Sequence, residues 1–213
     1  MNGKFMLETI CDILVDAYQR RWITSRDGNI SLRTYGQDYF YITPSGVRKQ
    51  TLQPDQFKKI SVSQSIELPY TAISSQLIPS GELPLHYGLQ QNIADWETRV
   101  VIHLHTTSIV AAMHAGIKLN KLSQGFPELN RYTKVAPTVG DVPPISQELA
   151  TQCHQNLQLI NDGTMSYDII GIKGHGVVSI DQTPWRAYEH IERLSHVCEI
   201  VLASNNYQEF CRV

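Results

Sequence analysis

Apolar residues recur at helical spacing from residue 4 to about residue 22, where Phe5, Leu7, Ile10, Leu14, Ala17 and Tyr18 are interleaved with charges. This predicts an amphipathic first helix. The period then shortens to two: residues 29–33 and 39–43 are short, alternating and rich in β-formers, with turns at Asp27-Gly28 and Tyr35-Gly36. They read as a strand pair. Pro44-Ser45-Gly46 closes the second strand, and a further short strand is expected near residues 59–62. Ser80-Gly81-Glu82 opens a helix, with Ser80 as cap and Pro84 tolerable only near the start. Residues 100–105 read as a strand, 108–114 as a helix, and 146–160 as a helix capped by Ser146 with Glu148 in its first turn. Residues 168–173 and 177–180 are strands flanking a glycine pair; residues 183–203 form a long last helix with Ala187, Ile191, Leu194, Cys198 and Val201 on one stripe. No internal repeat or composition break divides the chain. The order predicts one α/β domain over residues 1–213, its helices packed on a central mixed or antiparallel sheet.

The chain has 213 residues, 42% of them hydrophobic, enough to bury one good core. Lys and Arg number 18 against 20 Asp and Glu, a net charge of −2, which is no footprint for nucleic acid. The short basic stretches Val47-Arg48-Lys49 and Phe57-Lys58-Lys59 read as solvated turns. Cys11, Cys153, Cys198 and Cys211 form no CxxC pair, and the first three fall in predicted helices, so free buried thiols in a reducing compartment are expected. The N-terminal segment meets Glu8 too soon for a signal peptide, and no apolar run approaches the ~20 residues that span a bilayer. A soluble cytoplasmic protein with neither membrane nor nucleic-acid partners is the expectation.

The candidate chemistry begins with His103-x-His105. On a strand, residues two apart share a face, so both imidazoles project at one spot while Ile102 and Leu104 go to the core. Paired imidazoles on a rigid strand suit zinc, although an HxH pair also occurs without a metal. His175, in Gly174-His175-Gly176, is flanked by residues that remove bulk and free the backbone, as a histidine entering a crowded strand turn requires; an ordinary hairpin has the same look. Glu82 is the carboxylate candidate, or only a partner of the helix dipole. His86, one turn later, is either a fourth ligand or a hydrogen-bond partner behind the ligands. His114, His154, His190 and His196 lack partners at ligand spacing and read as surface or satisfied core residues. Asp27-Gly28-Asn29, Thr43-Pro44-Ser45-Gly46 and Ser80-Gly81 are small turns that form an anion nest if they converge.

Gly28-Asn29-Ile30-Ser31, Ile42-Thr43-Pro44-Ser45-Gly46, Ser80-Gly81-Glu82, His103-Leu104-His105 and Gly174-His175-Gly176, in this order, resemble the class II aldolase/adducin superfamily, from the first helix to about Ala203. The resemblance implies a zinc-dependent lyase that cleaves a phosphorylated ketose through a metal-stabilised enediolate, giving dihydroxyacetone phosphate and an aldehyde. His103, His105 and His175 would hold the zinc, and Glu82 would ligate it at rest and serve as acid/base once displaced. Gly28, Asn29, Ser45, Gly46, Ser80 and Gly81 would surround the substrate phosphate. The family's architecture implies a homotetramer with a nine-stranded sheet and interfacial sites, in which Tyr132 is the nearest counterpart of a tyrosine supplied by the neighbour, and Tyr207 that of a second one near the C-terminus. Gly81 departs from the aldolase pattern, which has two serines before the carboxylate, and Glu82 departs from the epimerases, which carry Asp. The alternatives are a dehydratase, decarboxylase or epimerase on a related sugar phosphate, or a non-catalytic adducin-like interaction module.

Overall fold

A computed structural model describes residues 3–63, 77–91, 93, 97–160, 163–205 and 208–211. Six strands are formed: β1 (Asn29–Arg33), β2 (Tyr39–Ile42), β3 (Lys58–Ser61), β4 (Arg99–Leu104), β5 (Ile169–Ile172) and β6 (Gly176–Asp181). They make one sheet in the order β3-β2-β1-β4-β6-β5, and every pairing is antiparallel. Of the mixed or antiparallel alternatives, the strands take the second; single parallel bridges at Val135–Ile169 and Val139–Ile172 extend the β5 edge. The nine strands implied by the resemblance are six among the described residues.

Around the sheet lie α1 (Gly3–Gln19), α2 (Leu83–Gln91), α3 (Thr107–His114), α4 (Pro127–Tyr132), α5 (Gln147–Asn156), α6 (Pro184–Ser204) and α7 (Gln208–Cys211). The strand alternation decides how they are layered. In β4, Val100, Ile102 and Leu104 join a core with Leu7, Ile10 and Leu14 of α1, Ile109 of α3, and Ile191 and Leu194 of α6. Val101 points the other way, into a second core with Leu85 and Leu89 of α2 and Leu149 and Cys153 of α5. Each fully buried Val, Leu or Ile contributes about 1.5–3 kcal/mol relative to exposure, so a central strand covered on both faces is a rigid base for a site.

The expected elements form, with corrections. Phe5 is 55% exposed and Tyr18 39%, and the buried stripe of α1 runs instead through Met6, Leu7, Ile10, Ile13, Leu14 and Ala17. At 100° per residue Phe5 lies opposite Leu14 on the helix, which is why it faces outward. The helix expected over 146–160 stops at Asn156, because Leu157 caps it and Gln158 turns left-handed, with φ 54°. Its start is as expected, the Ser146 hydroxyl accepting from Leu149 N–H. The α6 stripe is buried throughout. All four cysteines are free, Cys153 and Cys198 buried and Cys11 and Cys211 partly so. Among the described residues no helix is long and apolar enough to cross a membrane.

Candidate functional site

Strand register brings the site together at one end of the sheet. Asn29, the first residue of β1, pairs with His103 near the end of β4, and His103 pairs with Val178 near the start of β6. His105 lies just past β4 and is pinned by its N–H to the Trp22 carbonyl at 3.1 Å. His175 is carried by the β5–β6 turn, where Gly174 takes a φ of 68° that a side chain would resist. Gly176 answers to a different demand: a Cβ there would run into the Leu104 carbonyl and stand 3.0 and 3.2 Å from the His105 and His103 rings.

The three imidazoles form one cluster, with a ligand atom from each lying within 4.8 Å of the others. Their ring centroids are 4.8 to 4.9 Å apart, and His103 Nε2 and His105 Nε2 are 3.0 Å apart. Tetrahedral zinc with Zn–N near 2.0–2.1 Å sets its nitrogens roughly 3.3 Å apart, close to the separation of the His103–His105 pair, with His175 near enough to supply a third ligand. His103 is fully buried and donates from Nδ1 to the Val177 carbonyl at 3.1 Å, which leaves the Nε2 lone pair facing its neighbours. Burial first, then the adjacent His105 and His175, hold its pKa well below the usual imidazole range, which keeps the ring neutral as a ligand must be. Among the described residues this is the one group of three or more such side chains placed to hold a metal.

Glu82 belongs to the same place. It immediately precedes α2, its carbonyl accepting from His86 N–H, and its N–H bonds the Ser80 hydroxyl at 3.3 Å. Glu82 Oε1 lies 3.7 Å from His175 Nε2, while the buried Oε2 has no hydrogen-bond partner. A buried carboxylate oxygen without a partner is costly, and a cation beside it removes the cost. Burial pushes this carboxyl up to about 7, against the lowering effect of the Ile145 backbone N–H that bonds it.

The predicted anion turns converge. An antiparallel bridge joins Pro44 to Pro79, Ser45 N–H bonds the Ile78 carbonyl at 2.9 Å, and Ser80 N–H bonds the Thr43 carbonyl at 3.1 Å. Thr43 Oγ1 also accepts from Ile30 N–H, tying in the first turn. The result is a cavity of about 270 Å³ whose wall includes Gly28, Asn29, Ser45, Ser80, Gly81, Glu82, His105 and His175. Gly46 sits in the same turn but not in that wall. A cleft of about 330 Å³ near the opposite end of β4, lined by Arg99, Asp168, Asp181 and Arg186 among others, gathers no metal-ligand group among the described residues.

His86 is no ligand. Fully buried on the same sheet face, it bonds Ser31 Oγ through Nδ1 at 2.7 Å and Asn29 Oδ1 through Nε2 at 2.5 Å. The directions follow from the amide oxygen, which can only accept: His86 Nε2–H donates to Asn29 Oδ1, so Nδ1 of the neutral ring accepts the Ser31 hydroxyl proton while Ser31 Oγ accepts from Gln90 Nε2 at 2.9 Å. Asn29 therefore presents its NH₂ to the cavity. Burial lowers the His86 pKa to about 3, consistent with a neutral ring.

Lys49 corrects an expectation. Its stretch reads as a solvated turn, yet the side chain is 2% exposed and reaches the cavity wall. It starts a 3-10 turn pinned by its N–H to the Ser25 carbonyl, and it packs inward because Pro44 and Val47 offer carbonyls to its ammonium. Tyr132 ends α4, 48% exposed, with the Arg131 and Arg193 guanidinium groups over its ring; it does not line the cavity of its own chain. Tyr207 lies outside the described residues. His190 is a satisfied core residue bonded to Thr133 and Asp181, whereas His114 and His196 are exposed. His154 is half-buried and bonded to the Leu85 backbone, burial lowering its pKa, and its Nε2 has no partner.

An antiparallel sheet with helices on both faces, ending in a three-histidine cluster and a carboxylate, defines a class of protein, and comparison with known proteins agrees. The family model described as Class II Aldolase and Adducin N-terminal domain matches residues 8–202, and the chain belongs to this family. A methylthioribulose-1-phosphate dehydratase from Kluyveromyces lactis is 25% identical over 205 residues, covering 92% of this chain and 94% of its own. An L-fuculose phosphate aldolase from Methanococcus maripaludis is 25% identical over 200 residues, covering 94% and 96%. Among solved structures, YgbL from Klebsiella pneumoniae, titled a putative aldolase/epimerase/decarboxylase, superposes with a TM-score of 0.77 at 19% identity, covering 98% of this chain and 93% of that one. The L-fuculose-1-phosphate aldolase from Thermus thermophilus gives 0.74 at 21% identity, with 98% of both chains covered. These two similarities concern the fold.

Proposed function

We propose that this chain is a zinc-dependent lyase acting on a phosphorylated ketose, as an aldolase yielding dihydroxyacetone phosphate and an aldehyde. The observation that carries the reading is the buried, unpartnered Glu82 Oε2 beside three clustered imidazoles at the edge of a cavity walled by hydrogen-bond donors. His103, His105 and His175 hold the metal, with Glu82 beside them. When bound, a divalent metal supplies Lewis acidity, polarising the substrate carbonyl and offsetting the negative charge that C–C cleavage leaves on carbon. Asn29, Ser45 and Ser80, with the backbone around Gly28, Gly46 and Gly81, fix the phosphate end, so that the reacting carbons are held rather than found by diffusion. Glu82 delivers a proton to the carbon left behind and is reprotonated from water, and the proton of the hydroxyl beside the breaking bond leaves through Tyr132 of a neighbouring subunit, whose own phenol proton passes to water. A homotetramer with interfacial sites places that tyrosine.

Dehydration of a sugar phosphate is the second reading, favoured by the dehydratase relative that spans nearly the whole chain. One experiment separates these from an interaction module: a panel of ketose phosphates is incubated with the zinc-loaded parent and with Glu82→Gln, in both directions, scoring aldehyde release and loss of water separately. Aldehyde release by the parent, with a fall of about 100-fold or more in a Glu82→Gln enzyme that still holds its metal, is the expected outcome. Water loss without cleavage makes it a dehydratase. An inert parent, or unchanged turnover in Glu82→Gln, contradicts the assignment.

A further inference from the structure

Lys49 is a cation in an unusual position. Its side chain is 2% exposed, and its ammonium donates to the Pro44 carbonyl at 3.1 Å and the Val47 carbonyl at 3.3 Å. Among the described residues no carboxylate lies within 4 Å of it. An ammonium has three protons, and these two carbonyls leave one over. Burial lowers the Lys49 pKa, with Asp27, too far for an ion pair, pulling the other way and Arg26 adding to the lowering, so the ammonium is a buried charge without a close counter-ion. The residue is built into the cavity wall that also carries Asn29, Ser45 and Ser80. The other charges on that wall are Arg26, Asp27 and Glu82; Asp27 already accepts from Thr24 Oγ1 at 2.5 Å, and Glu82 belongs with the histidines.

We propose that Lys49 is a specificity-determining residue that selects a phosphomonoester dianion, supplying a buried positive charge beside the neutral donors of a cavity whose other cation, Arg26, is exposed to solvent. This rests on the sugar-phosphate reading above. A phosphoryl group rather than a carboxylate is the occupant because donors come from several sides, from the Lys49 ammonium, the Asn29 amide and the Ser45 and Ser80 hydroxyls. A terminal phosphate offers three oxygens to them where a carboxylate offers two.

The test is calorimetric titration of inorganic phosphate, and separately of acetate, into the metal-loaded parent, Lys49→Gln and Lys49→Arg, repeated after chelation so that anion on the metal is told apart from anion on the wall. The parent is expected to prefer phosphate. Lys49→Gln should weaken phosphate about 10-fold or more, the value of losing one hydrogen bond to a charged group, with metal content and melting temperature retained, and Lys49→Arg should restore part of the loss. Phosphate bound equally well by the parent and Lys49→Gln overturns the role of Lys49 and leaves the sugar-phosphate reading standing. A parent that binds no phosphate and turns over no phosphorylated ketose sinks both. A preference for acetate replaces phosphate with carboxylate and overturns the proposal. If neither variant folds, acetic anhydride labelling of the parent decides: phosphate should protect Lys49 relative to the exposed Lys134, and equal labelling with and without phosphate contradicts the proposal.

Discussion

The orientation of one amide illustrates how the site is set at the residue scale. Asn29 can offer the cavity either its carbonyl or its NH₂, and only the second suits an anion. The choice is made by His86, whose Nε2–H takes Asn29 Oδ1 inward while its Nδ1 accepts from Ser31, itself bonded by Gln90. His86→Gln should therefore raise the KM for a phosphorylated ketose with metal content unchanged, whereas a merely space-filling His86 would leave KM alone. The same histidine has a pH signature. Its pKa falls from the usual 6.5 to about 3 on folding, so below 6.5 the unfolded chain takes up a proton that the folded chain refuses. Stability is then full above pH 6.5 and is lost as pH falls from there toward 3. His103, His105 and His175 are lowered too, chiefly by burial, and act with the same sign. Urea midpoints measured from pH 7 to pH 5 should fall less steeply for His86→Gln than for the parent; parallel curves would show that His86 is not buried neutral.

At the scale of elements, the site depends on the close approach of β4 and the turn that leads into β6. Gly176 has no room for a Cβ, which would strike the Leu104 carbonyl and crowd both imidazoles of the HxH pair. Gly176→Ala should cost about 1–3 kcal/mol, the range for overpacking a filled site, and should loosen the metal, measurable as a lower melting temperature together with lower metal content. A variant as stable and metal-replete as the parent would show that the approach is not tight. The HxH spacing and the glycine-flanked His175 were legible because each is local, the first set by strand alternation and the second by a turn. The convergence of the three small turns was not, since it is made by the Pro44–Pro79 bridge across more than thirty positions of chain. Polar alternation also misleads. Asn29, Ser31 and Arg33 mark one face of β1 as polar, yet that face is buried against α2, where His86 and Gln90 satisfy it. Lys49 reads as solvent-facing for the same reason: composition reports polarity, and burial depends on what packs above it.

At the scale of the molecule, two helical layers leave the sheet rigid and open at one end, where β1 begins, β4 ends and β6 begins. Tyr132 does not line its own chain's cavity, so a site that uses it needs a second chain. Light scattering should give a mass near four times 24.1 kDa, about 96 kDa, and a monomer would remove Tyr132 from the mechanism. The central claim is the metal held by His103, His105 and His175, and elemental analysis of the purified protein tests it most directly. The account predicts about one zinc per chain in the parent and in His154→Ala, with the metal lost or much reduced in His103→Ala, His105→Ala and His175→Ala. Variants of the three histidines that are as metal-replete as the parent, or a folded parent that binds no divalent metal, would contradict it.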